Sequence, residues 1–434
     1  MTLTTFDGLG LIEPLRLALK AENYLRPTPI QVRTIPLLAA GKDLLGIAET
    51  GTGKTAAFAL PILQRLTAER PRRQAQLSSA PRALILAPTR ELAGQIGERF
   101  RAYGRGLPLL TAVIFGGVNQ HHQVKALRAG IDILVATPGR LLDLCQQRHV
   151  RLDQVSILVL DEADRMLDMG FIHDVRKIVA LCRRERQTLL FSATMPPPIA
   201  KLAHDILDHP TRVDIAPAKV AVERIDQRVF FVGTKEKRAL LEALLADQAM
   251  DRVLVFTRTK RGADRVCRNL MQAGLSATAL HGNKAQNARV RALDAFRSGR
   301  VRILVATDIA ARGIDVPNIS HVVNYELPNE PESYVHRIGR TARAGAGGAA
   351  LSLCDASERP HLQAIERLMR APVAVGDHRL AAAAHSAPAP RQSGRGTTTA
   401  PVKPRRRSRR RRFAGARQPA FAPANGARAI GDSI

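Results

Sequence analysis

Runs rich in Val, Ile and Leu, each four to six residues long, recur along this chain at 83–87, 131–136, 156–160 and 188–191, and again at 228–232, 251–256, 301–306 and 321–325. Their apolar character is continuous and does not alternate, which is what a strand needs when both faces of a parallel sheet are covered. Helical patterns lie between them, as at 91–103 and 118–129. This β-α alternation is the signature of an open α/β domain, and because it restarts in the second half it predicts two such domains. The apolar runs lapse near Pro210 and Pro217, which places the first domain at 1–212, a linker at 213–225 and the second domain at 226–372. From 373 to 434 the chain turns to Ala, Pro, Gly, Ser, Thr and Arg, with too few large apolar side chains to offset the entropy of ordering, and reads as a disordered tail.

Composition adds a partner to this picture. The 434 residues carry a net charge of +28 with 45% hydrophobic residues, so the chain has enough apolar material for real cores and excess positive charge for a polyanion. Within the tail, seven arginines fall in the eight positions 405–412. Aromatic residues are only 4% and Trp is absent, so the chain holds little material for an extended aromatic stacking surface. Cys145, Cys182, Cys267 and Cys354 are widely spaced, which suggests neither a disulfide framework nor a zinc site. The first ten residues hold no Lys, Arg or apolar run, and no stretch approaches 18 apolar residues, so a soluble, unexported, cytoplasmic protein without a membrane partner is expected.

Three motifs carry chemistry. The strand at 43–47 is followed by Ala48-Glu49-Thr50-Gly51-Thr52-Gly53-Lys54-Thr55 and then by a helical pattern, the context of a P-loop. Gly51 and Gly53 let successive amides turn toward phosphate oxygens, Lys54 can reach the outer phosphates, and the Thr55 hydroxyl is a candidate ligand for Mg2+. Ala48 stands where the strict pattern has Gly. The strand at 156–160 runs into Asp161-Glu162-Ala163-Asp164, carboxylates at the end of a parallel strand where ligands bind; Asp161 is placed to hold the metal and Glu162 to prepare water. In the second half, His336-Arg337-Ile338-Gly339-Arg340-Thr341-Ala342-Arg343 supplies Arg340 and Arg343 on one helical face, suited to act on a transferring phosphoryl group.

Asp161 to Asp164 spells DEAD, and from about Phe6 to about Met369 the chain resembles the DEAD-box ATP-dependent RNA helicases, in wording closest to the bacterial RhlE-type subgroup. Pro27-Thr28-Pro29-Ile30-Gln31, the P-loop, Pro88-Thr89-Arg90-Glu91-Leu92, Gly116-Gly117, Thr137-Pro138-Gly139-Arg140, DEAD and Ser192-Ala193-Thr194 stand in the family's order. The resemblance implies two tandem RecA-like parallel-sheet domains of helicase superfamily 2. It implies that Gln31 reads adenine, that Phe6 stacks on or shields the base, and that Gly313 and Asp315 lie at the nucleotide, Asp315 meeting the ribose. Ser192 and Thr194 would couple the DEAD loop to the rest of the site, bridging Asp164 and His336.

By the same resemblance, RNA crosses both domains opposite the ATP cleft. Arg90, Gly116, Gly117, Thr137 and Arg140 on the first domain, with Arg258, Gln286, Arg289 and Thr307 on the second, match its backbone contacts, which read no base sequence. Closure on ATP would bend one strand and separate short duplexes, with the arginine tail as a tether. An RNA-binding scaffold without turnover, and a DNA helicase or other P-loop motor, remain as alternatives. The sequence leaves open the RNA substrate, any ribosome-assembly or RNA-decay partner, and the oligomeric state.

Overall fold

The computed structural model describes residues 5–48, 51–69, 80–215, 225–311, 316, 318–342 and 347–377. Glu49, Thr50, Gly313, Asp315, Arg343 and the arginine-rich segment at 405–412 lie outside the described residues.

After a 3-10 turn at Phe6–Leu9, the first lobe runs α1 (Glu13–Ala21), α2 (Pro29–Ala39), β1 (Leu44–Ile47), α3 (Lys54–Ala68), β2 (Ala83–Leu86), α4 (Arg90–Tyr103), β3 (Thr111–Ile114) and α5 (His121–Arg128). It continues through β4 (Ile133–Ala136), α6 (Pro138–Gln146), β5 (Ile157–Leu160), α7 (Ala163–Asp168), α8 (Ile172–Leu181), β6 (Gln187–Ser192), α9 (Pro197–Ile206) and β7 (Thr211–Asp214). The second lobe is β8 (Ile225–Phe231), α10 (Lys237–Leu245), β9 (Val253–Thr257), α11 (Lys260–Gln272), β10 (Ala277–Leu280), α12 (Gln286–Arg297), β11 (Ile303–Thr307) and α13 (Asp308–Ala311). It closes with β12 (His321–Asn324), α14 (Pro331–Ile338), β13 (Gly348–Cys354), α15 (Arg359–Met369) and β14 (Ala374–Val375).

Each lobe is a parallel sheet with cores on both faces. Along β2, Ala83 and Ile85 enter one core while Leu84 and Leu86 enter the other. Val253 and Val255 of β9 are divided from Leu254 and Phe256 in the same way. Both faces need apolar side chains, which is why the runs read without alternation.

The strand orders are β3-β4-β2-β5-β6-β1-β7 and β10-β11-β9-β12-β13-β8-β14, so the second sheet repeats the first strand for strand. This order divides the C-terminal edge of each sheet. The loops after β2, β3 and β4 open on one half, and those after β1, β5 and β6 on the other.

The boundaries shift from those expected. β7 pairs with β1 and extends the first sheet to Asp214, inside the stretch read as a lapse. Only Val213 of its four residues is buried, so an edge strand here leaves no apolar run to read. The second sheet begins at Ile225 and ends with Ala374–Val375 paired to β8, beyond the boundary expected at 372. All four cysteines are free thiols. Among the described residues, no helix is long and apolar enough to cross a membrane.

Candidate functional site

The half of the first sheet that carries β1, β5 and β6 gathers the phosphate motifs. Gly51 and Gly53 take φ of 90° and 94°, and α3 begins at the next residue. A Cβ on Gly53 would lie 2.6 Å from Gln31 Nε2 and 2.9 Å from Thr28 Oγ1, so space and backbone angle both demand glycine. Lys54 is buried; its Nζ donates to the Ala48 carbonyl at 2.9 Å and lies 3.9 Å from Asp161 Oδ1. Thr52 and Thr55 are half-buried beside it. Ala48 is tied to β6 by its N–H, which donates to the Ser192 carbonyl at 3.0 Å.

Gln31 is fully buried. Its Oε1 accepts from the Thr28 N–H at 2.9 Å, capping α2, and its Nε2 donates to the Gly53 carbonyl at 3.1 Å. The amide expected at adenine therefore also fastens the P-loop to α2. Phe6 is buried at 6% exposure in the core of the first lobe.

Asp161 follows β5 and is buried, and its Oδ1 has no hydrogen-bond partner among the described residues. Burial pushes its pKa up to about 6, Lys54 pulls it down and Glu162 adds to the rise. An unsatisfied buried carboxylate oxygen facing a lysine fits a hard divalent cation. Among the described residues, no group of three or more His, Cys, Asp or Glu could hold a metal, so such a cation would take its other ligands from hydroxyl, water and phosphate oxygens. Glu162 adopts the left-handed conformation at φ 55°, a cost of roughly 1–2 kcal/mol for a non-glycine residue, and is ion-paired with Arg165.

Asp164 is the anchor of the Ser192–Thr194 loop. Its Oδ2 accepts from the N–H groups of Ala193 and Thr194 at 3.1 and 3.0 Å and from Thr194 Oγ1 at 3.1 Å, while its own N–H donates to Ser192 Oγ at 3.2 Å. Four hydrogen bonds therefore fasten the DEAD loop to the Ser192–Thr194 loop at the end of β6.

In the second lobe α14 ends at Ile338 with Gly339 as its cap, so Arg340 follows the helix in a turn and not on the helical face expected for it. Arg337 is buried and bonds both Asp308 carboxylate oxygens, Asn324 Oδ1 at 3.0 Å and the Glu326 carbonyl at 2.7 Å, with its guanidinium 5.0 Å from the Phe256 ring. It is a structural residue holding α13 and β12 together. Arg340 Nε donates to the His336 carbonyl at 3.3 Å, and both residues line a small pocket with Arg337.

The other half of each sheet edge forms a different site. A cavity of about 510 Å3 is lined by Arg90, Gly116, Thr137 and Arg140 from the first lobe and by Gly282 and Arg289 from the second. Gly117 stands against Arg90, whose Nη1 would lie 2.1 Å from a Cβ there. Desolvation and the neighbouring Arg289 charge lower the Arg90 pKa, the mark of cations crowded together. Arg140 Nη1 and Arg289 Nε are buried without hydrogen-bond partners among the described residues. Two lobes meet here: Gln286 Nε2 donates to Glu91 Oε1 at 3.0 Å, Arg90 Nη1 donates to Gln286 Oε1 at 3.3 Å, and Arg289 pairs with Glu91 Oε2 at 3.0 Å.

Arg258 and Thr307 do not line this cavity. Arg258 bonds Glu326, Asn329 and Glu358 around the end of β9, and Thr307 is buried at the end of β11. Glu91, Arg165, Asp308 and Gly282 were given no task by sequence reasoning; Glu91 stands inside a quoted motif, but its partners lie nearly 200 positions away.

Paired parallel sheets with one P-loop, a strand-end acidic pair and a basic cavity between lobes define a two-lobed P-loop nucleoside triphosphatase of helicase type. Comparison narrows the class. Residues 28–202 match the DEAD/DEAH box helicase family and residues 236–345 the helicase conserved C-terminal domain. The chain is 42% identical over 365 residues to the DEAD-box ATP-dependent RNA helicase CshA of Geobacillus kaustophilus, covering 84% of this chain and 76% of that one. CshA of Bacillus subtilis is 42% identical over 363 residues, 84% of this chain and 72% of the relative. Among solved structures, Saccharomyces cerevisiae Dbp5 bound to RNA and ADP BeF3 matches with a TM-score of 0.76 at 30% identity, covering 88% of this chain and 99% of that one. The chain belongs to the DEAD-box ATP-dependent RNA helicases.

Proposed function

We propose that ATP is hydrolysed at the P-loop in an RNA-stimulated manner, and that RNA held in the interdomain cavity is bent so that short duplexes separate or RNA–protein complexes are remodelled. The supporting observation is that Arg90, Gly116, Thr137, Arg140 and Arg289, separate in sequence and drawn from both lobes, line one cavity. That cavity lies on the sheet-edge half away from Lys54 and Asp161, so the two ligands occupy different faces of the same lobes. Dbp5 with RNA and ADP BeF3, and Mss116p with ssRNA and AMP-PNP at a TM-score of 0.75, carry both ligands on this fold.

In this reading Lys54 holds the outer phosphates, with Gly51, Thr52 and Gly53 turning amides toward them. Thr55 and Asp161 hold Mg2+, which supplies charge neutralisation on the phosphates when bound. Glu162 orients the attacking water, and Arg340, with Arg343, meets the transferring group. Gln31 and Asp315 serve the base and ribose, and the Ser192–Thr194 loop with His336 passes the nucleotide state to the RNA face. Motif wording favours the RhlE-type subgroup, whereas the relatives named above bear the CshA name; substrates in ribosome assembly or RNA decay fit either, as does a cytoplasmic location.

Glu162→Gln keeps the hydrogen-bonding shape toward Arg165 but removes the base. RNA-stimulated phosphate release should fall by roughly 10²- to 10⁴-fold while RNA binding persists. Release at the wild-type rate would remove Glu162 from the chemistry, and a wild-type chain without turnover would favour the RNA-binding scaffold.

A further inference from the structure

Helix α11 follows β9 on the half of the second sheet that faces the cavity, and it is sharply two-sided. Ala263, Val266, Cys267 and Leu270 are buried, whereas Arg261, Arg265 and Arg268 are exposed at spacings of four and three on one face. With Thr259, Gly262 and Asp264 they line a second cavity of about 370 Å3. Asp264 is the one acid in this lining, and its Oδ1 is paired with Lys284 at 2.8 Å and lies 3.0 Å from His281 Nε2. Among the described residues, none of the three arginines is in an ion pair.

The placement of charge runs against the helix. Cations are favoured at a helix C-terminus and disfavoured at its N-terminus. Yet α11 opens with Lys260 and Arg261, has no acidic residue in its first turn and no basic residue in its last. The helix dipole does not reward this arrangement, whereas a polyanion lying along the helix would.

The face also joins the site already described. Lys260 Nζ donates to Asn283 Oδ1 at 2.9 Å and lies 3.7 Å from where a Cβ on Gly282 would sit, and Gly282 lines the interdomain cavity. The basic path therefore continues from Arg289 and Gly282 through Lys260 to Arg261, Arg265 and Arg268. From Arg261 to Arg268 the helix rises about 10 Å, enough to separate three guanidinium groups along a strand.

We propose that the Arg261–Arg265–Arg268 face of α11 is an auxiliary RNA-backbone site, which takes the part of the RNA strand that runs out of the interdomain cavity. The inference rests on the reading that RNA occupies that cavity. Its contacts are to phosphate, so it adds affinity and length preference without sequence preference.

The test uses the full chain with a non-hydrolysable ATP analogue and two oligouridylates, one of about six nucleotides and one of about twenty, spanning the range of single-strand site sizes. In the triple variant Arg261→Gln, Arg265→Gln, Arg268→Gln, the log K against log salt slope for the long strand should flatten by about 2, while the short strand binds as in wild type. Replacing the same three residues by Lys should restore the slope. An unchanged long-strand slope overturns the proposal, as does equal weakening of both lengths. Arg90→Gln separates this from the cavity itself: it should weaken the short strand, and if it does not, the reading of the cavity fails and not the α11 face. Loss of slope for an acidic peptide competitor but not for the long RNA would assign the face to a protein and also overturn the proposal.

Discussion

Gly53 shows how little freedom the nucleotide site leaves. A methyl group there would meet Gln31 and Thr28, and φ of 94° already disfavours any side chain. Gly53→Ala would have to displace the Gln31 amide or re-form the loop, at about 1–2 kcal/mol for the backbone alone. ATP affinity should fall by about tenfold or more, read by nucleotide titration of folded protein; an unchanged Kd would mean that the Gln31–Gly53 bond is dispensable. Glu162 makes the converse use of the same backbone region, since a charged side chain accepts the left-handed conformation next to Asp161. The sequence shows DEAD, but not that its second residue is strained or that it pairs with Arg165. Periodicity carries no information on a single φ angle.

At the scale of elements, the second lobe hides a charged cluster beneath α15. Lys237 of α10 is buried with Glu358 and lies 3.4 Å from Asp355. Burial raises the Asp355 pKa, but the Ser357 hydroxyl, Lys237 and Thr234 outweigh it and hold the group at about 2, against an ordinary 3.8. The folded state thus favours the ionised form more than the unfolded state does. This stabilisation is present above pH 4 and is lost as pH falls from 3.8 toward 2. The urea midpoint of the chain should drop across that window, and Asp355→Asn should lower the midpoint at pH 7 and flatten the drop. A profile identical to wild type would show that the cluster contributes nothing at acid pH. Arg337 is a second case: the octapeptide singles out Arg340 and Arg343, and only packing reveals that Arg337 is committed to Asp308, Asn324 and Glu326. β7 was illegible for a related reason, because one buried valine in four residues is no pattern.

For the whole molecule, two copies of one sheet topology meet through α4 and α12. Glu91 is the hub, bonded to Gln286 and Arg289, with its side chain 4% exposed and that of Arg289 11%. Glu91→Ala would leave Arg289 buried without its carboxylate, a cost of roughly 2–5 kcal/mol to lobe association. RNA should then raise ATP affinity at least about tenfold less than in wild type, measured by titrating the nucleotide with and without RNA; intact coupling would place the lobe contact elsewhere. The family was legible because phosphate and metal chemistry need fixed residues at fixed local spacings, as from Gly51 to Thr55 and from Asp161 to Asp164. Those spacings, with the apolar runs, determined the phosphate site, the parallel sheets and the two-lobed plan. Strand order was decided by the tertiary structure alone, since β1 follows β6 in space and β2 separates β4 from β5. That order gathers the loops after β1, β5 and β6 on one half of the sheet edge and those after β2, β3 and β4 on the other. It also joins Glu91 to Gln286 across 195 residues, and joins α11 to the cavity, because proximity between distant segments is set by how sheets pack and leaves no trace in local pattern.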